Sequence, residues 1–270
     1  MEHLKPVGSA EEFLVCTELL PAIRQRYGTS FALLEIPEVL RSDRNVEPHG
    51  AVYFRDYDGE KYNGRWNEGN GGGPLGTELS SEMVQILSDL QTIDVDWLLS
   101  LHAVGRKVQQ SAFDLQGWLS SFQERKTLAF SIGISDIELT QAEEVINGGF
   151  QVTRRIVNNG DFYPRNLVKL PNRMVLVDWG YWPGYRACFV DYPVNVAAFA
   201  FIHMWGNGLW QKEFVHHLRE KFGISLDDFR KAVLIKSFEQ ALFFQQCGAP
   251  QLVPPQVNHF KMALKNEIFG

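Results

Sequence analysis

Asp161, Asn166 and Asp178 are the residues whose types and spacing could do chemistry in this sequence. They lie in the stretch 156–180, where two short apolar runs, 167–170 and 174–177, flank Pro171, Asn172 and Arg173. Proline presets the turn dihedral and asparagine tolerates a left-handed one, so the stretch predicts a tight β-hairpin. Asp161 and Asn166 stand before its first strand and Asp178 at the end of its second. Antiparallel pairing folds those two ends onto the same side. Two carboxylates and a carboxamide then converge at one mouth. Hard oxygen ligands in that number suit Mg²⁺, which takes one or two carboxylates and completes its shell with phosphate and water. Each of the three alone would read as an ordinary turn former or cap; their arrangement around one hairpin gives the functional reading its weight.

Gly160 and Asp161, then Asn166, a hairpin, and Val177, Asp178 and Trp179 resemble the His-Gly-Asp-x4-Asn … Ile/Val-Asp-Phe/Trp signature of the aminoglycoside and choline kinase-like phosphotransferases, which share the protein kinase fold. The resemblance implies that Asp161 is the catalytic aspartate that accepts or orients a substrate hydroxyl. It implies that Asn166 and Asp178 hold the metal on ATP. Asn159 stands where the family has His.

The remaining elements follow in chain order. Ser9 with Glu12 predicts a capped helix start. Phe13, Leu14, Cys16, Leu19, Leu20 and Ile23 give that helix an apolar face, and Arg24, Arg26 and Gly28 mark its end. The resemblance makes this the helix whose Glu pairs with a phosphate-binding Lys; Glu12 and Glu18 are both candidates. Lys5 is the position that could supply the Lys. Residues 31–40 and 51–59 read as strands. By the resemblance, the second runs into a hinge where Arg55, Asp56 and Tyr57 offer their peptide groups to adenine.

Kinase-like small lobes place a Gly-rich hairpin and a Lys-bearing strand before this helix, which needs about 20 residues. Eight precede Ser9, so a truncated small lobe is expected. The glycines of 64–76 lack the Gly-Lys-Ser/Thr ending of a phosphate loop and read as a linker. Helices are predicted from Ser80, within 94–123, and over 138–146, 213–222 and 226–247, with a short strand at 154–157. Asp191 reads as a helix N-cap or loop anchor. His216 and His217 are adjacent and point about 100° apart on a helix, so they make no two-His metal face. Trp205, Trp210, Phe243 and Phe244 could line a substrate pocket, with helix core the stronger reading.

Composition bounds the remainder. A hydrophobic fraction of 45% supports a globular core, and a net charge of −6 argues against general nucleic-acid binding. Cys16, Cys188 and Cys247 are far apart, so neither a zinc site nor a disulfide framework is suggested. The first residues carry no apolar signal region, and no apolar run reaches membrane-spanning length. A cytoplasmic protein is expected.

The expected architecture is α+β and two-lobed: a small lobe over 1–59, a linker over 60–80 and a mostly helical large lobe over 81–270. The expected function is ATP- and Mg²⁺-dependent phosphorylation of a hydroxyl on a small molecule. The alternative is a kinase-like protein that binds a small molecule or nucleotide without turnover.

Overall fold

The computed structural model describes residues 2–62, 76–101, 112–151, 154–180 and 190–268. Within them the protein is α+β, with small sheets and a mostly helical body. It forms two compact units. The first takes Met1–Asn63, Glu82–Ala112 and Arg155–Asp191; the second takes Gly64–Ser81, Phe113–Arg154 and Tyr192–Gly270. Each unit draws on three separate stretches of the chain. The expected linker lies mostly outside the described residues.

In the first unit, β1 (Glu2–Pro6), β3 (Val39–Asp43) and β4 (Ala51–Arg55) form an antiparallel sheet in the order β1-β4-β3. The strand leading to the expected hinge is thus central rather than an edge. A second sheet runs β2-β8-β7-β5, from β2 (Leu34–Glu35), β5 (Glu60–Lys61), β7 (Leu167–Lys169) and β8 (Met174–Leu176).

The predicted hairpin is β7–β8. Leu167 faces Leu176, and the Leu170 N–H closes the turn onto the Arg173 carbonyl at 2.8 Å. The single strand expected over 31–40 is instead two. Pro37 has no N–H to donate to a ladder and separates β2, which pairs in parallel with β8, from β3, which pairs with β4. The expected strand at 154–157 is the short β6 (Ile156–Val157), paired with β9 (Val190–Asp191). Asp191 is therefore a buried strand residue. The helix after it is capped by Tyr192 with proline at its first turn.

The predicted N-terminal helix forms as α1 (Ala10–Leu14) and α2 (Leu20–Tyr27), joined by a π-helical turn over Val15–Leu19. Ser9 Oγ accepts from the Glu12 N–H at 3.0 Å, as its N-cap position requires. Next come α3 (Glu78–Gln91) and α4 (Val95–Ser100). Ser80 does not cap α3; it lies inside its first turn and donates to the Thr77 carbonyl.

Asp89 on α3 organises β2 from the side. Its buried carboxylate accepts from the N–H groups of Ala32, Leu33 and Leu34 at 3.1, 2.8 and 2.8 Å. Asp89→Ala is expected to leave those donors without partners, each costing about 1–3 kcal/mol. A loss of about 3 kcal/mol or more in urea denaturation is the expected result; a change below about 1 kcal/mol would show that water replaces the carboxylate freely.

The second unit is helical: α5 (Leu115–Glu124), α6 (Lys126–Ser131), α7 (Asp136–Asn147), α8 (Pro193–His203), α9 (Gly208–Phe222), α10 (Leu226–Gln246) and α11 (Val253–Leu264). Ser135 and Glu138 form a reciprocal capping box at the start of α7. Trp118 stacks on Phe122 at 5.0 Å and donates from its indole nitrogen to Glu239 at 2.7 Å. Trp210 and Phe244 are core residues as read, while His216 and His217 both lie beside Glu220 on the surface of α9. Among the described residues, no helix is long and apolar enough to cross a membrane.

Candidate active site

The site is built wholly from the first unit. β1 alternates its side chains, and Lys5 is directed at two carboxylates: Glu12 Oε1 at 2.9 Å and Asp178 Oδ1 at 2.7 Å. Its ammonium also donates to the Trp179 carbonyl at 3.2 Å. Burial alone would lower its pKa; the charges and hydrogen bonds of Asp178 and Glu12 outweigh that and hold it above the ordinary lysine value. Of the two glutamates left open by the sequence, Glu12 makes the contact. Glu18 lies in the π turn, half-buried. Glu12 is fixed in turn by the Gly8 N–H, which donates to its Oε2 at 2.6 Å.

Asp161 sits in the loop between β6 and β7. Gly160 precedes it at φ +84°, a left-handed conformation that glycine adopts without steric cost. The Asn166 amide reaches back across the loop: its Nδ2 donates to the Asp161 carbonyl and to Asp161 Oδ2, each at 2.8 Å. Burial pushes the Asp161 carboxyl up to about 6. The Asn166 hydrogen bond opposes this, the Asp178 charge adds to it, and Arg165 and Lys5 oppose it. Asp178 is half-exposed and holds φ +56°, outside the range most side chains prefer but one that Asp tolerates.

Asn159 stands where the resembled family has His, a position expected to support the geometry of the loop, and its amide ties the Asp161 loop down. Its amide accepts from the Asp161 N–H at 3.3 Å and donates to the Asp161 carbonyl at 3.4 Å and the Val177 carbonyl at 3.2 Å. Val177 also donates its N–H to the Asn166 carbonyl at 2.9 Å. The two asparagines thus tie the Asp161 loop to the strand end that carries Asp178. Asparagine's preference for bonding nearby backbone was the available signal, but the partner at Val177 is 18 residues away.

The donor set fits a cation held jointly with phosphate. Asn166 Oδ1 and Asp178 Oδ2 accept no hydrogen bond among the described residues, so each offers a hard oxygen. No group of three or more His, Cys, Asp or Glu gathers into a metal site among those residues. Two protein oxygens, with phosphate and water completing the shell, match the way Mg²⁺ is usually held.

Of the three expected hinge residues, Arg55 is already engaged. The Arg55 N–H already donates to the Glu38 carbonyl at 2.9 Å, so it is not offered to a base. The Arg55 side chain pairs with Glu38 at 2.7 Å, and the Tyr57 hydroxyl accepts from the Glu38 N–H at 2.9 Å. The peptide groups of Asp56 and Tyr57 make no backbone hydrogen bond among the described residues. The aromatic stretch after Gly180 lies outside the described residues over 181–189.

No protein-family model matches the chain, and no curated protein matches it in sequence. Solved structures do match it in shape. The GDP complex of aminoglycoside 2'-phosphotransferase-IIIa superposes with a TM-score of 0.60 at 12% identity, over 95% of this chain and 83% of that one. This chain has the aminoglycoside phosphotransferase fold. A thermostable mutant of aminoglycoside phosphotransferase APH(4)-Ia, in ternary complex with ADP and hygromycin B, matches with a TM-score of 0.59 at 12% identity, over 95% of this chain and 81% of that one. A choline/ethanolamine kinase family protein from Mesorhizobium loti matches with a TM-score of 0.55 at 12% identity, over 100% and 87%. Within this phosphotransferase fold, Lys5, Glu12, Asp161, Asn166 and Asp178 come from β1, α1, the Asp161 loop and the far end of the hairpin.

Proposed function

We propose that this protein transfers the terminal phosphoryl group of a nucleoside triphosphate, ATP first among candidates, to a hydroxyl of a small molecule. The observation that carries the reading is Lys5, held between Glu12 and Asp178 on a loop system that also fixes Asp161. A lysine so placed binds phosphate oxygens, with Glu12 keeping it in position. Asp161 orients the acceptor hydroxyl and takes its proton as the new O–P bond forms and the bond to the nucleoside diphosphate breaks. Asn166 holds the Asp161 carboxylate in place through the transfer. Mg²⁺, when bound by Asn166 and Asp178, would neutralise charge on the phosphates. The peptide groups of Asp56 and Tyr57 would receive the base. The nucleotide complexes of the structural neighbours support a nucleotide ligand, and their aminoglycosides support a small-molecule acceptor.

The test is to titrate the protein with ATP and GTP with and without Mg²⁺. Diphosphate release is then followed against a panel of hydroxylated small molecules, including cationic ones suited to a chain of net charge −6. Acceptor-dependent release over several turnovers is the expected result. Nucleotide binding without release would support the non-catalytic kinase-like alternative, and no nucleotide binding would overturn both.

Asp178→Ala is expected to remove the dependence of nucleotide binding on Mg²⁺ and weaken it roughly 10- to 100-fold, the worth of one charged contact. Calorimetry checks this. Unchanged Mg²⁺-nucleotide affinity would remove Asp178 from the metal.

A further inference from the structure

The helix that carries Glu12 is not a plain α-helix. At the junction of α1 and α2 the Leu20 N–H donates to the Val15 carbonyl, five residues back instead of four. Such π turns are uncommon and concentrate at functional sites. Pro21 follows at once. It has no N–H to give, and its ring crowds the carbonyl four residues back, that of Thr17. Widening the preceding turn gives that carbonyl room.

The widening changes where side chains point. Eleven residues at about 100° each would bring Glu12 and Ile23 to within roughly 20° of one another on an uninterrupted α-helix. One residue absorbed by the π turn opens that angle to roughly 80°. The two side chains need different surroundings. Ile23 is fully buried among apolar residues, while Glu12 must meet Lys5. Both ends of the helix are pinned. Ser9 and Gly8 hold α1. Buried Leu20 and Ile23 hold α2, together with Arg24, which donates to the Ile36 carbonyl and pairs with Glu35 at 3.3 Å. With the ends fixed, the turn between them decides the direction of Glu12.

We propose that Pro21, through the π turn it imposes, is a positioning residue that sets Glu12 on Lys5 and thereby the affinity for nucleotide phosphates. The phosphate part rests on the phosphotransferase reading; the helix geometry does not.

The experiment compares the parent, Pro21→Ala, Glu12→Gln and the double variant. Alanine favours helix over proline, so Pro21→Ala is expected to melt at or above the parent temperature. Calorimetry with MgATP is expected to show roughly 10- to 100-fold weaker binding for Pro21→Ala, a similar loss for Glu12→Gln, and no further loss in the double variant, because both act through one contact. Parent-like affinity in Pro21→Ala, or losses that add in full, would overturn the proposal. The crystal structure of Pro21→Ala supplies a readout free of nucleotide. Leu20 is expected to donate to the Cys16 carbonyl, with Glu12 more than 4 Å from Lys5. A retained Val15 partner would overturn the proposal. A parent that binds no nucleotide fails the functional reading alone, and the crystal structure still decides the helix register.

Discussion

Asp161→Asn is expected to lower acceptor-dependent phosphoryl transfer by two to four powers of ten while leaving Mg²⁺-nucleotide affinity within about threefold of the parent. The carboxamide matches the carboxylate in size, so the loop keeps its shape. It cannot accept the hydroxyl proton, and a positioned acid–base group contributes about 10²- to 10⁴-fold. Binding is spared because the phosphates are expected to rest on Lys5 and the metal. The parent arrangement also predicts a side effect. The Asn166 amide now donates to Asp161 Oδ2 at 2.8 Å, and an asparagine at 161 must turn its oxygen toward that donor. Turnover and calorimetry on the same preparation separate the effects. Full turnover would place the base elsewhere, and a fall in affinity matching the fall in turnover would make Asp161 a binding residue.

The second expected result is acid lability seated in the helical unit. His203 on α8 and His259 on α11 are buried. Burial pushes His203 down to about 3, against the partial opposition of its bond to the Phe199 carbonyl, and pushes His259 down to about 4. His203 Nδ1 lies 2.7 Å from the Phe199 carbonyl, and His259 Nε2 lies 3.4 Å from Gln211. An unfolded chain protonates both near 6.5, so below that pH the unfolded state binds more protons than the folded one. The stability from burying them neutral is complete above pH 6.5 and falls as pH drops toward 4 and 3. At pH 5 each costs about 2 kcal/mol, about 4 kcal/mol together.

Asp161 acts in the opposite direction. Its folded value near 6 makes the folded state the better proton binder below that pH, worth about 1.4 kcal/mol at pH 5. A net fall of about 2–3 kcal/mol between pH 8 and pH 5 is therefore expected in urea denaturation. His203→Gln with His259→Gln is expected to abolish the fall and leave a slight rise. A parent whose stability is flat over that range, or a double variant as acid-sensitive as the parent, would refute the assignment.

How much was legible beforehand differs from residue to residue. Asp161, Asn166 and Asp178 could be read because their geometry is local. Seventeen residues and one tight turn bring them together, and alternation and turn chemistry describe such a span. The amphipathic face and Ser9 cap of the N-terminal helix were legible for the same reason. Its π turn was not, because the apolar spacing of Phe13, Cys16, Leu19, Leu20 and Ile23 fits an uninterrupted α-helix. Pro21 was the visible clue: it stands in the interior of the predicted helix, where a proline removes a backbone donor and crowds the carbonyl four residues back.

By itself, then, the sequence determined the hairpin, the placing of its three polar residues and most helices, since each follows from neighbours a few residues apart; the kinase-like class came from the motif's resemblance to a known family. Tertiary structure alone decided the choice of Glu12 over Glu18, the contact of Lys5 with Asp178 across 173 residues, and the split of 31–40 between two sheets. It also decided that the Arg55 N–H is spent on Glu38 and that Asn159 clamps Val177. These are pairings between distant segments. Helical and strand periodicity fix which way a side chain faces within its own element, while the partner it meets depends on how the elements pack.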